Sequence, residues 1–190
     1  MAIEIRREDP GALATYASVS VAFRVDSVLD VADSGGHFTL RERRIHQPFV
    51  KDYDAIPGNG PPTWSDRFPI NKWGLFSARL NGSWVGAAAI APDPTLVPGA
   101  SPSSAVLWDL RVSPHHRGSG VGRRLFAAAE EWARRRSCVM LFAETQNINV
   151  AACRFYEHQG CVLDRIDRAA YPAFVGEVQL IWRKELILGQ

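Results

Sequence analysis

Several familiar features are scarce or missing in this sequence, and each absence removes a class of protein. The three cysteines, Cys138, Cys153 and Cys161, are an odd number with no C-x-x-C pair and no histidine at metal-ligand spacing. That argues against a disulfide framework or a metal site, and predicts reduced, buried thiols in a cytoplasmic protein. No window approaches the roughly 20 apolar residues of a membrane span, and the N-terminus MAIEIRREDP turns charged within a few residues, so a soluble, unprocessed chain is expected. An excess of one charge is also lacking. The 22 Lys and Arg residues stand beside 20 Asp and Glu, for a formal net charge of +2, so no bulk basic field points to nucleic acid or an anionic membrane. There is no internal repeat and no low-complexity tract. What remains is a chain of 190 residues, 46% hydrophobic, long enough for one core and too short to promise two full domains. Residues 1–190 are therefore expected to form a single domain.

Along the chain, AIEIR alternates like a short strand, and Asp9-Pro10 is expected to open a helical segment through ALATYASVSVAF. RVDSVLDVADSGG ends at a Gly-Gly turn, after which HFTLRERRI alternates as a strand with Phe38, Leu40 and Glu42 on one side. Residues 57–71 and 92–104 carry turn chemistry at almost every position and read as loops. Between them, KWGLFSARL and SWVGAAAIA flank Asn81-Gly82, a hairpin signal, because this dipeptide supplies the positive φ of a tight primed turn. From AVLWDLRV onward, strand and helix alternate. Val121, Leu125, Ala128 and Trp132 recur at helical spacing, and Arg134 to Arg136 sit where cations favour a helix C-terminus. CVMLFAE reads as a buried strand, NVAACRFYEHQG as a helix closed by Gly160, and CVLDRIDRAAY and EVQLIWRKELIL as strands with no helix between them. The sum is an α+β sheet protein whose parallel element, if any, lies around Leu107 to Glu144.

The stretch VSPHHRGSGVGRRL, from Val112 to Leu125, is the most informative. A strand, a short glycine-rich turn and a helix place unpaired backbone N–H groups at one helix N-terminus, where the helix dipole also favours negative charge. Glycines at 118, 120 and 122 allow close backbone approach, and Arg117, Arg123 and Arg124 can add charge-assisted bonds to phosphate oxygens. A Walker A loop is excluded because no Gly-Lys-Ser/Thr follows, and the dinucleotide fingerprint fails on spacing, G-x-G-x-G in place of G-x-G-x-x-G.

Arg117-Gly118-Ser119-Gly120-Val121-Gly122 has the R/Q-x-x-G-x-G/A form of the acetyl-coenzyme A loop of GNAT N-acetyltransferases, and Asn149, Ala152, Tyr156, Glu157 and Gly160 match that family's NxxAxxxYExxG pattern. The chain resembles this family in element order over about residues 1–186. The resemblance implies the GNAT fold: a mixed central sheet, flanked by helices and splayed at the acetyl-CoA site between the strands at 105–112 and 139–144. FTLRE, VSPHHRGSGVGRRL, ETQNINVAACRFYEHQG and LDRIDRAAY further look like segments of the streptothricin (nourseothricin) acetyltransferase branch, which acetylates an amino group on the β-lysine part of the antibiotic.

Acyl transfer to an amine needs a neutral nucleophile, a stabilised oxyanion and a proton for the leaving thiolate. An alkyl ammonium has a pKa of about 10.4, so something must accept its proton. The resemblance places Asp109 and Glu144 near the reacting amine, each able to act directly or through a water. The competing readings are a solvent-facing strand residue or a partner for Arg111 in the case of Asp109, and a helix cap in the case of Glu144. The resemblance implies that Tyr156 protonates or hydrogen-bonds the departing sulfur, and that Asn149 bonds the pantetheine arm; the competing readings are a core aromatic beside Phe155 for Tyr156 and a helix N-cap for Asn149, a cap that Asn147 can supply instead. The Val112 main-chain N–H would polarise the thioester carbonyl. Leu110, Val112, Arg117, Gly118, Ser119, Gly120, Val121, Gly122, Arg123, Asn149, Ala152 and Tyr156 make up the implied cofactor contacts. Asp26 and Asp30, spaced i, i+4 on a helix or turn, and Glu42 on the next strand are the expected acidic contacts to a cationic acceptor. The opposing reading is a solvated face. Trp64, Trp73, Trp108 and Tyr171 either wall the pocket or belong to the core. The expected activity is acetyl-CoA-dependent N-acetylation of a small amine, with no metal and no nucleic-acid partner, and the resemblance adds a homodimer. The alternatives are acetylation of a peptide or protein amine, and a non-catalytic acyl-CoA-binding module.

Overall fold

The computed structural model describes residues 2–187, which fall into two compact units. The first comprises the chain up to residue 22, residues 52–141 and the end from residue 185, and the second comprises 23–51 and 142–184. No helix among the described residues is long and apolar enough to cross a membrane.

In the first unit, β1 (Glu4–Glu8) leads to the one-turn helix α1 (Leu13–Tyr16), and β4 (Gly74–Leu80), β5 (Ser83–Ala91) and β6 (Ser104–Val112) follow. They pair antiparallel in the order β1-β4-β5-β6. Asn81 and Gly82, at φ 52° and 82°, form the expected hairpin turn between β4 and β5. Helix α2 (Val121–Arg134) lies against β4, β5 and β6 and buries Val121, Leu125, Phe126, Ala129, Trp132 and Ala133. The helical segment expected from Pro10 to Phe23 shrinks to a 3-10 turn, Pro10–Ala12, and α1. Beyond Tyr16 the β-branched Val19 and Val21 alternate with Ser18 and Ser20, residues that compete for backbone bonds; the Ser18 hydroxyl donates to the Thr15 carbonyl at 2.6 Å.

Strand β5 explains why this unit is tightly layered. Ala87, Ala89 and Ala91 leave room on one side for Trp64, Trp73, Leu75, Ile70, Leu13 and Tyr16. The 57–71 segment supplies much of that cluster. Its prolines limit it to two 3-10 turns, Pro61–Asp66 and Ile70–Lys72, yet Trp64 is only 2% exposed and donates its Nε1–H to the Asn59 carbonyl at 2.9 Å. Its ring packs edge-on against Tyr16 and Trp108, at 5.3 and 6.4 Å between centroids. Trp64 and Trp73 are thus core residues. On the opposite face, Gly86 admits α2: a Cβ there would lie 2.7 Å from Val121 Cγ1 and 2.9 Å from Leu125 Cδ1.

In the second unit, β2 (Phe23–Ser34) and β3 (His37–Lys51) form a long antiparallel hairpin closed by Gly35 and Gly36, both at positive φ. Asp26 and Asp30 therefore lie on a strand, where the sequence suggested a helix or turn. An i, i+4 spacing also satisfies the two-residue period of a strand, and Val25, Val28 and Val31 favour extended backbone. The pairing is irregular after Val25: residues 45–48 of β3, including Pro48, bulge opposite Asp26 before Ser27 pairs with Arg44. The remainder is β7 (Met140–Gln146, in this unit from Phe142), α3 (Val150–His158), β8 (Val162–Asp167) and β9 (Gln179–Glu185), with β7, β9 and β8 adjacent in that order. Gly160, at φ 80°, ends α3 as expected. The three cysteines are free and buried.

Gly86→Ala should push the first turn of α2 off β5. The expected loss is about 1–3 kcal/mol, typical of an overpacked core, read as a lower midpoint in chemical denaturation.

Candidate active site

The first unit carries the glycine-rich turn. After β6 the chain makes a 3-10 turn, Pro114–His116, and then places Gly118 and Gly120 at φ 77° and 86° before α2 begins. An added Cβ at either would meet nothing within 4 Å, so the left-handed backbone, and the open space beside it, explain these glycines. Gly122 sits inside the first turn of α2 with no such demand. Gly120 is the N-cap and no side chain caps the helix. The first helical bond runs from the Arg124 N–H to the Gly120 carbonyl at 3.2 Å, which leaves the N–H groups of Val121, Gly122 and Arg123 without intrahelical acceptors. Arg123 and Arg124 are exposed beside them.

Arg117 is turned to a different task. Its Nε donates to the Val112 carbonyl at 3.0 Å and its Nη2 to the Ala22 carbonyl at 2.7 Å, so it braces the turn from below, and burial lowers its pKa from the ordinary arginine value. Ser119 donates its hydroxyl to the His116 carbonyl at 2.6 Å and also stiffens the turn. Leu110 and Val112 are half-buried on β6, opposite Ala88 and Gly86 of β5.

Asp109, on the same strand, is tied down on both oxygens. Oδ1 accepts from Tyr16 Oη at 2.8 Å and Arg111 Nε at 2.9 Å, and Oδ2 accepts from Arg111 Nη2 at 2.8 Å. Arg111, 2% exposed, also donates to Asp54 at 2.6 and 3.2 Å and to the Val19 carbonyl at 3.2 Å. Burial alone would lower the Arg111 pKa, but the adjacent carboxylates of Asp109 and Asp54 more than offset it, and the net shift is upward. Burial and then the Asp109 charge push the Tyr16 phenol well above its usual value.

The second unit holds the other chemically active groups. Glu144 lies on β7 with no cationic partner among the described residues. Its Oε1 accepts from Tyr171 Oη and, at 3.3 Å, from Gln146 Nε2, and its Oε2 accepts from Gln179 Nε2 at 2.8 Å. Burial raises its pKa, and the three hydrogen bonds pull it part of the way back. Asn149 is itself the N-cap of α3, its Oδ1 accepting from the Ala152 N–H at 3.2 Å. Asn147, the alternative cap, instead faces the hairpin and the 168–178 loop. Its Nδ2 donates to the Leu29 and Gly176 carbonyls at 3.1 and 3.4 Å, and its Oδ1 accepts from the Val178 N–H at 2.8 Å. Tyr156 is 6% exposed on α3, edge-on to Phe155. Nearby, Cys153 packs against Thr145 Oγ1 at 3.4 Å, and burial pushes its pKa up to about 11, so it stays a thiol.

Each acidic acceptor candidate is paired with an arginine: Asp26 with Arg24 at 2.7 Å, Asp30 with Arg43 at 2.9 Å, and Glu42 with Arg154. The bond from Arg43 lowers the Asp30 pKa. Asp26 and Asp30 are exposed on the hairpin. The pairing of Asp109 with Arg111 was legible as an alternative at i, i+2 on one strand, whereas Asp54 as the second carboxylate on Arg111 and Asn147 as the tie to β2 act through contacts far apart in the chain, for which local spacing carries no signal.

The acetyltransferase (GNAT) family profile matches residues 46–161. The chain belongs to this family of acetyltransferases and has its α+β fold. Streptothricin acetyltransferase of Streptomyces lavendulae is 26% identical over 174 residues, covering 92% of this chain and 89% of that protein. Streptothricin acetyltransferase of Escherichia coli is 29% identical over 163 residues, covering 84% and 83%. The crystal structure of nourseothricin acetyltransferase aligns with a TM-score of 0.78 at 27% identity, over 98% of this chain and 100% of that one. A structure from Bacillus anthracis in complex with acetyl coenzyme A aligns with a TM-score of 0.79 at 24% identity, over 98% and 99%, a likeness of fold.

Asp109→Asn should act first on stability. Weakening one of two carboxylate partners of a buried guanidinium is expected to cost on the order of 3 kcal/mol, measurable by denaturant unfolding.

Proposed function

We propose that this chain transfers an acetyl group from acetyl-CoA to a primary amine of a small cationic acceptor of the streptothricin class, in the cytoplasm. The observation that carries the cofactor half is the start of α2: uncapped amides of Val121, Gly122 and Arg123 behind two glycines whose Cα faces are open. Such a cradle suits the pyrophosphate of coenzyme A, which needs several fixed N–H donors and a positive helix end. Arg123 and Arg124 would add charge at its rim. The acceptor half is supported by the names of the relatives, streptothricin acetyltransferases that span most of this chain.

When bound, acetyl-CoA would supply an activated acetyl thioester. Glu144 is then the better proton acceptor of the two carboxylates. It has no cation to abandon on becoming neutral, whereas both oxygens of Asp109 already hold Arg111 and Tyr16. Its raised pKa brings it nearer the value at which a carboxylate both ionises and accepts a proton readily. Tyr156 Oη would hold a proton for the departing sulfur. Asp26, Asp30 and Glu42 would meet a cationic acceptor by exchanging their arginine partners for it, a swap that leaves no carboxylate uncompensated. Asn149 serves its helix through Oδ1, so its Nδ2 donors are the atoms available to a pantetheine carbonyl.

Asn149→Asp separates cap from ligand contact. It keeps the acceptor for the Ala152 N–H and removes the amide donors, so unfolding stability is expected to hold while coenzyme A affinity falls about tenfold by isothermal titration.

The activity itself is tested by thiol release from acetyl-CoA with streptothricin, aminoglycosides and peptides as acceptors. Release with the cationic antibiotics is expected. Release with peptides alone would overturn the acceptor class, and tight coenzyme A binding with no release for any amine would overturn the enzyme reading.

A further inference from the structure

We propose that Tyr171 is a positioning residue for Glu144: its hydroxyl fixes the orientation of that carboxylate and favours the anion that takes the acceptor's proton. This rests on Glu144 as the proton acceptor.

The hydrogen-bond direction follows from chemistry. Gln146 Nε2 lies 2.8 Å from Tyr171 Oη and, being an amide nitrogen, can only donate. The phenol oxygen is therefore an acceptor towards Gln146, and its single proton is left to point at Glu144 Oε1. Among the described residues, the polar groups bonded to the Glu144 carboxylate are Gln146 on its own strand, Gln179 on β9 and Tyr171 on the 168–178 loop. Of these, Tyr171 alone titrates, and none brings a positive charge. Burial and then the neighbouring Glu144 charge push the phenol far above its ordinary value, so its proton is present wherever the enzyme works.

A tyrosine on a connecting loop would be a poor positioning device if the loop could wander. This one is tied at several points. The Phe174 N–H closes a turn onto the Tyr171 carbonyl at 3.0 Å, Asn147 holds the Gly176 carbonyl and the Val178 N–H, and Glu177 pairs with Lys51 at 2.5 Å. The Lys51 ammonium also sits 3.6 Å from the centre of the Phe174 ring. Arg168 donates to the Val31 carbonyl at 2.5 Å. The loop is thereby fastened to β2, β3 and the β7–α3 turn, and Tyr171 is held against Glu144 by the same fastenings.

The pH profile of kcat/KM tests this. Removing the Tyr171 hydroxyl deletes a donor to the anion, so the Glu144 pKa should rise and the acidic limb should move up. Tyr171→Phe is expected to shift that limb by roughly one pH unit, with the plateau rate within a few-fold of the parent and KM for acetyl-CoA unchanged. Replacing Tyr171 by 3-fluorotyrosine, whose hydroxyl is the stronger donor, leaves every other bond to Glu144 in place and should move the limb the opposite way. It carries the test alone if Tyr171→Phe does not fold. An unmoved limb in the folded variants, while Glu144→Gln abolishes it, would overturn the role of Tyr171 alone. A limb that persists in Glu144→Gln would overturn Glu144 as the proton acceptor, and the proposal with it.

Discussion

A carboxylate's charge can be answered by a cation or by dipoles, and the two candidate proton acceptors answer it in opposite ways. Asp109 is compensated by a full cation. Arg111 grips both of its oxygens, and Tyr16 adds a third bond, so the group is committed to its charged form by geometry as well as charge. Glu144 is compensated only by dipoles, a phenol and two amides. Dipoles remain useful whether the carboxylate is charged or neutral, so a proton can come and go without stranding a counter-ion. A permanent salt bridge suits architecture, and a dipolar nest suits acid–base work.

The Arg111 clamp also shows how β6 is fixed within its own unit. The guanidinium reaches Asp54, past the end of the hairpin in sequence, and the Val19 carbonyl beyond α1. Strand β6 then continues directly into the turn that leads to α2. The cradle's geometry is thus inherited from a buried ion pair at one end and from the Gly86 contact at the other.

How much of this could be read from the chain depended on the reach of each interaction. The Asn81-Gly82 hairpin, the α2 stripe and the Gly160 helix end rest on contacts within a few residues, and their signals were plain. β2 was ambiguous because Asp26 and Asp30 at i, i+4 fit both a helix face and a strand face, and only pairing with β3 decides between them. The 57–71 segment looked like an open loop from its prolines and glycines, but Trp64 makes it part of the core. At the site, the glycine turn was legible as an anion cradle, whereas the bracing role of Arg117 depends on the carbonyl of Ala22, 95 residues away. Asn149 and not Asn147 caps α3, because Asn147 meets β2, a partner more than a hundred residues distant in the chain.

The turn into α2 offers its ligand peptide N–H groups, held by two left-handed glycines. A surface made of main chain has no identity of its own at the side-chain level. Substitutions at Arg123 or Arg124 would recolour its rim while the donors stay in place, so this part of the protein can drift in sequence far more freely than in shape. Residues that set the backbone are denied that latitude: Gly118 and Gly120 in the turn, Arg117 and Ser119 that brace it, and Gly86 against Val121 and Leu125.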